Sequence, residues 1–246
     1  MAANKPGKAE ILAAFFDGGV YSPLFTDGAV SAAFGSANGQ SAYAVFEDGS
    51  AVGVQDIEKN IRVLEMAAQT GAPVVTFYDS VGAKLEGGLE LLNANARLTA
   101  EIARVSGVVP QIAVVTGTCA GTNAINAAAA DLCIMAEDAE LFLNAPFNAE
   151  DKLAGAGSAA FAAKAGVASI VAADAAEAAE KAAHIVGLLP ANNLTGPAIF
   201  EFEQPTAVLA AGAEPAKAAA AVVDKDSAVE LYAGFGKSVY TAFATV

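Results

Sequence analysis

Two short segments carry the residue types from which an oxygen trap can be built out of main chain. The first, Asp79-Ser80-Val81-Gly82-Ala83-Lys84, follows the apolar run Val74 to Tyr78; the second, Gly117-Thr118-Cys119-Ala120-Gly121-Thr122-Asn123, follows Ile112 to Val115. In each, backbone N–H groups gather at the carboxyl end of a strand and the start of a helical pattern. Donors placed so, reinforced by a helix dipole, could converge on one oxygen and stabilise negative charge there. The purely structural alternative is that each glycine only relieves a tight strand-to-helix turn. Catalysis by side chains is harder to assemble. His184 is the single histidine, so a Ser-His-Asp or Cys-His triad has one possible base, and that base ends an alanine-rich segment. No cluster of His, Cys, Asp and Glu falls at ligand spacing, Glu137, Asp138 and Glu140 read as a solvated turn, and no metal is expected. A phosphate loop of the Walker type is absent as well.

The elements that must position these loops alternate in period between two and 3.6, which is the pattern of an α/β fold. Ala42 to Glu47 and Val74 to Tyr78 read as strands, with a helix between them that places Ile57, Ile61, Leu64 and Ala68 on its inner face. A second helix puts Leu85, Leu89, Leu92, Ala96 and Ala103 on one stripe, and Val109 to Val115 follows as a buried strand. A third helix starts near Gly121, and Asp131 to Ala136 returns as a strand. Ala149 to Val186 reads as helical throughout, closing at Gly187 with Pro190 beyond. Within it, Leu153 to Ala173 is nearly uncharged, but its Ala, Gly and Ser content and Lys164 fit a packed helix pair better than a membrane span. Gln204 to Pro215 reads as a linker, and Pro215 to Val223 as a helix. The strand pair after it resembles the opening of the chain: Asp17, Leu24, Val30, Ala33 and Phe34 align with Asp224, Leu231, Val239, Ala242 and Phe243. Such a pair cannot bury its own apolar face and needs a surface to lie on.

Composition bounds the partners. Of 246 residues, 55% are hydrophobic and the formal net charge is −14, so disorder is excluded and nucleic acid, which needs clustered Lys and Arg, is not an expected ligand. Cys119 and Cys133 lie in apolar surroundings with no paired Cys-x-x-Cys, and Met1 to Leu12 lacks the apolar core of a secretory signal, so the expected compartment is the cytoplasm.

At the two loops the sequence resembles the carboxyltransferase subunits of biotin-dependent enzymes: the β subunits of propionyl-CoA and acetyl-CoA carboxylases, and the α subunits of methylmalonyl-CoA and glutaconyl-CoA decarboxylases. Gly71-Ala72-Pro73-Val74-Val75 through Asp79-Ser80-Val81-Gly82-Ala83-Lys84 resembles the family run ending in Asp-Ser-Gly-Gly-Ala-Arg. Ser106-Gly107-Val108-Val109-Pro110-Gln111-Ile112 through Gly117-Thr118-Cys119-Ala120-Gly121-Thr122 resembles the run ending in Gly-Pro-Cys-Ala-Gly-Gly, and Gly166-Val167-Ala168 and Leu188 to Asn193 also fit in order. The resemblance covers roughly residues 15 to 205. It implies a crotonase-like fold, a spiral of ββα units, with residues 1–206 as the acyl-CoA lobe, 207–215 as linker and 216–246 as the start of a second, biotin-side lobe.

The activity the resemblance implies is transfer of a carboxyl group between an acyl-CoA α-carbon and biotin through a thioester enolate, in either the carboxylation or the decarboxylation direction. The amides of Val81, Gly82, Ala83, Gly121 and Thr122 would hold the enolate oxygen, and Lys59, Arg62 and Lys84 would meet the CoA phosphates, the alternative for Lys59 and Arg62 being a solvated helix face. The implied partners are a biotin carrier protein, a chain supplying the second lobe and further copies of this one; a membrane enters only through a sodium-pump decarboxylase complex. A truncated lobe that binds CoA esters or fills an assembly without catalysis is the alternative. The chain departs from the family at Val81 and Thr122, which replace glycines, and at Lys84, which replaces arginine. Thr122 would narrow the acyl pocket or add a hydroxyl donor, and Lys84 keeps the charge without the planar fork.

Overall fold

Short apolar strands joined by amphipathic helices build one twisted sheet with helices on both faces. The computed structural model describes residues 6–146, 153–196, 208–225, 227–236 and 238–246, apart from the Leu85 side chain. After helix α1 (Lys8–Phe15), strands β1 (Tyr21–Phe25), β2 (Val30–Ala37) and β3 (Gln40–Glu47) form an antiparallel meander. Helix α2 (Val54–Thr70) crosses to β4 (Val74–Ser80), α3 (Gly88–Val105) to β5 (Gln111–Ala120), and α4 (Thr122–Ala129) to β6 (Leu132–Ala136). These connections make β3, β4, β5 and β6 parallel, as crossover helices require. Strand β7 (Glu140–Phe142) pairs with the far end of β5; helix α5 (Ala159–Lys164), strand β8 (Ile170–Ala172) on the edge beside β6, and helix α6 (Ala175–Leu188) complete the layer.

Alternation along the buried strands divides the core in two. Val45 and Val74 face α2 and α3 with Ile57, Leu64, Leu98 and Ile102, whereas Ala44, Val75 and Phe77 face α1 and α6 with Ile11, Phe15, Ala179 and Ile185. The strands and the α2 face agree with the sequence reading, except that Ala68 is only partly buried. The α3 stripe does not. The helix buries Leu91, Ala94, Asn95, Leu98, Ile102 and Val105, and leaves Leu89 83% and Leu92 64% exposed, with Ala96 and Ala103 also outward. Both sets have helical spacing, so periodicity alone cannot choose between them; the sheet takes one face and the other stays bare.

The alanine-rich segment also departs from expectation. In place of helix throughout, with a packed helix pair over Leu153 to Ala173, residues 153–188 form a turn, the short α5, the edge strand β8 and α6, because small residues accept either geometry; the expected stretch 149–152 lies outside the described residues. Gly187 does not end α6, which runs to Leu188. A Cβ there would lie 2.2 Å from Nδ2 of Asn38, so glycine at this point lets the β2–β3 turn press against the helix.

Beyond the exposed segment 208–214, helix α7 (Pro215–Ala220) leads to a hairpin of β9 (Val229–Leu231) and β10 (Thr241–Phe243). The register of this hairpin repeats that of β1 and β2. Ala242 pairs with Glu230 and Phe243 with Val229, at the positions where Ala33 pairs with Pro23 and Phe34 with Ser22. Asp17 accepts a hydrogen bond from the Ser36 hydroxyl (2.6 Å), and Asp224 N–H donates to the carbonyl of Thr245, the residue matching Ser36 (2.9 Å). The hairpin finds its surface on the first lobe: Val229, Leu231 and Phe243 pack on the α1–α6 core, and Tyr232 N–H donates to Ser169 O (2.7 Å).

Asp56, buried in the first turn of α2, binds the meander to the helix. Its carboxylate accepts N–H groups from Ala29 (3.1 Å), Val30 (3.4 Å) and Gly53 (3.0 Å) and lies 3.5 Å from Lys59 and 3.8 Å from Lys84. Burial pushes this carboxyl up, but the amides of Gly53 and Val30 and the charges of Lys59 and Lys84 outweigh it and hold it below the ordinary value of 3.8. Its stabilisation is therefore full above that value and is lost as pH falls through the lower folded one. Asp56→Ala is expected to cost about 3 kcal/mol in urea denaturation at neutral pH and to flatten the acid limb of the stability curve. An unchanged midpoint would show that Asp56 does not tie these elements together.

Candidate functional site

The two candidate loops lie side by side because β4 and β5 are adjacent and parallel. Their pairing runs in register from Val74 opposite Gln111 to Tyr78 opposite Val115, then shifts, so that Ser80 faces Cys119. The extra residues of β5 form a bulge. There the Asp79 side chain takes the place of a ladder partner, its Oδ1 accepting the Thr118 N–H (3.1 Å). Past the bulge β5 leaves β6 and pairs with β7, while the Asp79–Lys84 segment runs beside Gly49–Val52 through bridges at Ser80 and Ala83. Much of what reads in the sequence as a second loop is thus strand. Gly117 to Ala120 belong to β5 and Thr122 and Asn123 to α4, with Gly121 alone between them.

This narrow second layer decides which amides are available. Val81 N–H faces Gly49 in the parallel bridge, and Gly82 N–H donates to the Ser80 hydroxyl (3.1 Å). Gly121 N–H donates to Phe142 O (3.0 Å). Of the five sequence candidates, Ala83 and Thr122 keep N–H groups with no hydrogen-bond partner among the described residues, one on each loop. Ala83 is exposed, and Thr122 is the first residue of α4, where N–H groups have no partner within the helix. Gly121 holds φ +65° and ψ −131°, a conformation closed to other residues, and so turns the chain from strand to helix. Thr122 adds no hydroxyl donor to the site, since its Oγ1 donates to Asn95 Oδ1 on α3 (2.8 Å).

The three expected cations fare differently. The Lys59 ammonium is enclosed by the carbonyls of Asp27 and Val30 and the carboxylates of Asp27 and Asp56, with its side chain 13% exposed. It is a structural cation. Arg62 is exposed on α2 and pairs with Glu65 (2.9 Å), and Lys84 is half-exposed beside the Asp79–Lys84 loop. Apolar side chains stand bare on the same elements: Val81 is 67% exposed, and Leu89, Leu92 and Ile125 also face outward. A cavity of about 680 Å³ lies elsewhere, between α6, β8 and β9, and His184 lines it with Glu177, Lys181 and Glu230. Cys119 and Cys133 are buried free thiols, the latter pushed up to about 12 by burial, so neither is a nucleophile. Among the described residues no acidic, histidine or cysteine cluster could hold a metal, and no helix is long and apolar enough to cross a membrane.

One buried carboxyl beside the turns is not marked in the sequence. Glu47, the last residue of β3, is 3% exposed, and Asn123 Nδ2 donates to both its oxygens (2.9 and 3.0 Å). Burial pushes its carboxyl up to about 8, against the opposing pull of the Asn123 and Asp79 amides.

A mixed α/β sheet whose parallel strands feed helix N-termini through amide-rich turns is crotonase-like and matches the transcarboxylase 12S structure. The family model described as the carboxyl transferase domain matches residues 14–246, and the chain belongs to that family. It is 34% identical over 116 residues to the methylmalonyl-CoA carboxyltransferase 12S subunit of Propionibacterium freudenreichii subsp. shermanii, covering 46% of this chain and 22% of that one. It is 33% identical over 141 residues to the biotin-dependent acetyl-/propionyl-coenzyme A carboxylase beta6 subunit of Mycobacterium tuberculosis, covering 55% and 30%. The crystal structure of transcarboxylase 12S, a hexamer with methylmalonyl-coenzyme A and methylmalonic acid bound, superposes with a TM-score of 0.88 at 25% identity, over 98% of this chain and 55% of that chain. These alignments span less than a third of the two sequence relatives, and the superposition about half of the structural one.

The backbone geometry separates the two residues of the second turn. Gly121→Ala is expected to cost about 2 kcal/mol from its positive φ alone, and Gly121→Pro more, since it also removes the bond to Phe142 O. Thr122 occupies the first helical position, where proline is tolerated, so Thr122→Pro should match Thr122→Val within about 1 kcal/mol. Thermal or urea unfolding of the four variants measures both differences; a Thr122→Pro chain far less stable than Thr122→Val would show that its N–H is already bonded.

Proposed function

We propose that this chain is the acyl-CoA-binding part of a biotin-dependent carboxyltransferase. The observation that carries the reading is the pair of uncommitted N–H groups, Ala83 and Thr122, at the carboxyl ends of two adjacent parallel strands. An acyl thioester laid across the loops would direct its carbonyl oxygen at both. As the α-carbon gains carbanion character the charge moves onto that oxygen, and each fixed donor is worth about 3 kcal/mol in the transition state. Lys84, half-exposed at the end of the first loop, is the cation best placed for a CoA phosphate, with Arg62 further along α2. Biotin, delivered on a carrier protein, would accept or supply the carboxyl group; no side chain of this chain is assigned to it.

Val81 in the first loop, Leu89 and Leu92 on α3 and Ile125 on α4 are exposed, which fits one wall of a site whose other wall comes from elsewhere. A second carboxyltransferase lobe on a partner chain fits that requirement. The matching register of the β1–β2 and β9–β10 hairpins supports reading residues 216–246 as the beginning of such a lobe, with 207–215 as linker. Several copies of the chain are expected in the assembly, beside the chain that supplies the second lobe.

A thermal-shift titration with malonyl-, methylmalonyl- and glutaconyl-CoA against free CoA tests the reading directly. One ester should stabilise the chain by about 2.7 kcal/mol at a hundredfold excess over its dissociation constant, and free CoA by clearly less. Equal shifts with ester and free CoA, or no shift at all, would remove the thioester site. In a reconstituted carboxyl-transfer assay Thr122→Pro should lose about a hundredfold in rate and Thr122→Val little, because only the first lacks the N–H.

A further inference from the structure

Glu47 is a buried carboxyl beside the two turns that the reaction described above does not use. It closes β3 at the level where β4 enters the Asp79–Lys84 loop and where α4 begins. Asn123, next to Thr122, donates to both its oxygens, and the Asp79 backbone N–H also bonds to it. Asp79 in turn holds Thr118 N–H on β5. The carboxyl therefore sits at the junction of three elements, and one of its partners lies beside each amide-bearing turn. The charged groups that bear on it are Asp79 from β4 and Asp48 from its own strand end, both acidic. Tyr78 on β4 and Cys119 on β5 also face it, and burial pushes both of their values up, so that they stay neutral. An ionised Glu47 there would be a buried anion facing other anions, with amide donors as its only relief.

We propose that Glu47 is a positioning residue of the site: its carboxyl accepts from Asn123 at the start of α4 and from the Asp79 N–H at the start of the Asp79–Lys84 loop and so ties the two turns together, and its ionisation tightens those bonds while setting a buried negative charge between the two turns. The catalytic consequence rests on the acyl-thioester reading given above. Negative charge developing on a thioester oxygen would be opposed by an ionised Glu47, so affinity for the ester and the rate of transfer should fall as pH rises through the carboxyl's own value, near 8. The tie itself is independent of any ligand. Because the folded value lies above the unfolded 4.5, the folded chain holds the proton more tightly, and the group's contribution to stability declines as pH rises from 4.5 to about 8.

The test follows the backbone amide signals of Ala83, Thr122 and Asn123 in the full chain by nuclear magnetic resonance, from well below to well above pH 8, without ligand. Thr122 and Asn123 should move together with one midpoint near 8, Glu47→Gln should keep the low-pH spectrum throughout, and Asn123→Ala should raise the carboxyl's midpoint by removing a donor to the charged form. A midpoint in the ordinary carboxylate range, or the same step in Glu47→Gln, overturns the proposal, and the wild-type titration decides even where a variant fails to fold. In a second arm, binding of the ester selected by thermal shift should weaken about tenfold over the same range in the wild type and stay flat in Glu47→Gln. Parallel curves overturn the coupling to the site. If no ester binds at any pH, the thioester reading fails, and the amide titration alone decides whether Glu47 ties the two loops.

Discussion

The site depends on a single irregularity, the bulge where β5 carries extra residues opposite Asp79. Up to Tyr78 and Val115 the strands form an ordinary parallel ladder. Past that point the two strands still meet at Ser80 and Cys119, but their outer neighbours change: β5 takes β7 in place of β6, and the segment after β4 runs beside Gly49–Val52. The change of partner is possible because Asp79 supplies the acceptor that a regular ladder would have supplied, so Thr118 N–H is not left unsatisfied in the core. A chain with a shorter side chain at residue 79 would have to leave that donor bare or straighten β5, and in either case the second layer would lose its footing.

From this irregularity comes a division of labour among backbone groups. The second layer uses the amides of Val81 and Gly121 for its own bridges, and Gly82 turns back on Ser80. Ala83 and Thr122 remain, not because their side chains are special but because their positions fall out of phase with the bridges. This also explains why residues other than glycine are acceptable at Val81 and Thr122. Val81 has negative φ and points into solvent, and the Thr122 hydroxyl is absorbed by Asn95, so neither side chain intrudes on the amide next to it. Glycine is required where the backbone has positive φ, at Gly82 and Gly121, and both are present.

How much of this the sequence discloses follows from which physical signals are local. Strands β3 to β6 and helix α2 are legible, since buried strands are continuous apolar runs and α2 has one apolar face only. Helix α3 has two, and the choice between Leu91 and Leu92 as the inward residue is made by the sheet, not by the helix. In the alanine-rich stretch the signal vanishes, because alanine marks neither an inside nor an outside, and β8 with its three residues is invisible until β6 offers an edge. The two loops stand out in the sequence through their glycines and motifs, but not which of their amides stay free, because that depends on Phe142 and Ser80 acting as acceptors. Lys59 reads as a surface cation by type and spacing; the carbonyls that enclose it come from Asp27 and Val30, on the turn before β2. Glu47 and Asn123 are 76 positions apart, and nothing local announces that they meet.

The net charge of −14 sets a further constraint on what such a site can do. On the acyl-CoA reading proposed above the ligand is itself an anion, so the long-range field of the chain would oppose its approach, and screening by salt would relieve only the part of that repulsion that acts through solvent. Affinity would then come from short-range terms: the two fixed amides, exposed apolar side chains and a cation held close by. Lys84 is such a cation, and Asp56 draws its ammonium toward α2 at 3.8 Å, so a phosphate would compete with a carboxylate for it. The same reasoning applies to charge inside the site. Where donors are few and the surrounding field is negative, one additional buried anion near the amides would weigh heavily, which is why the proposed role of Glu47 turns on its protonation.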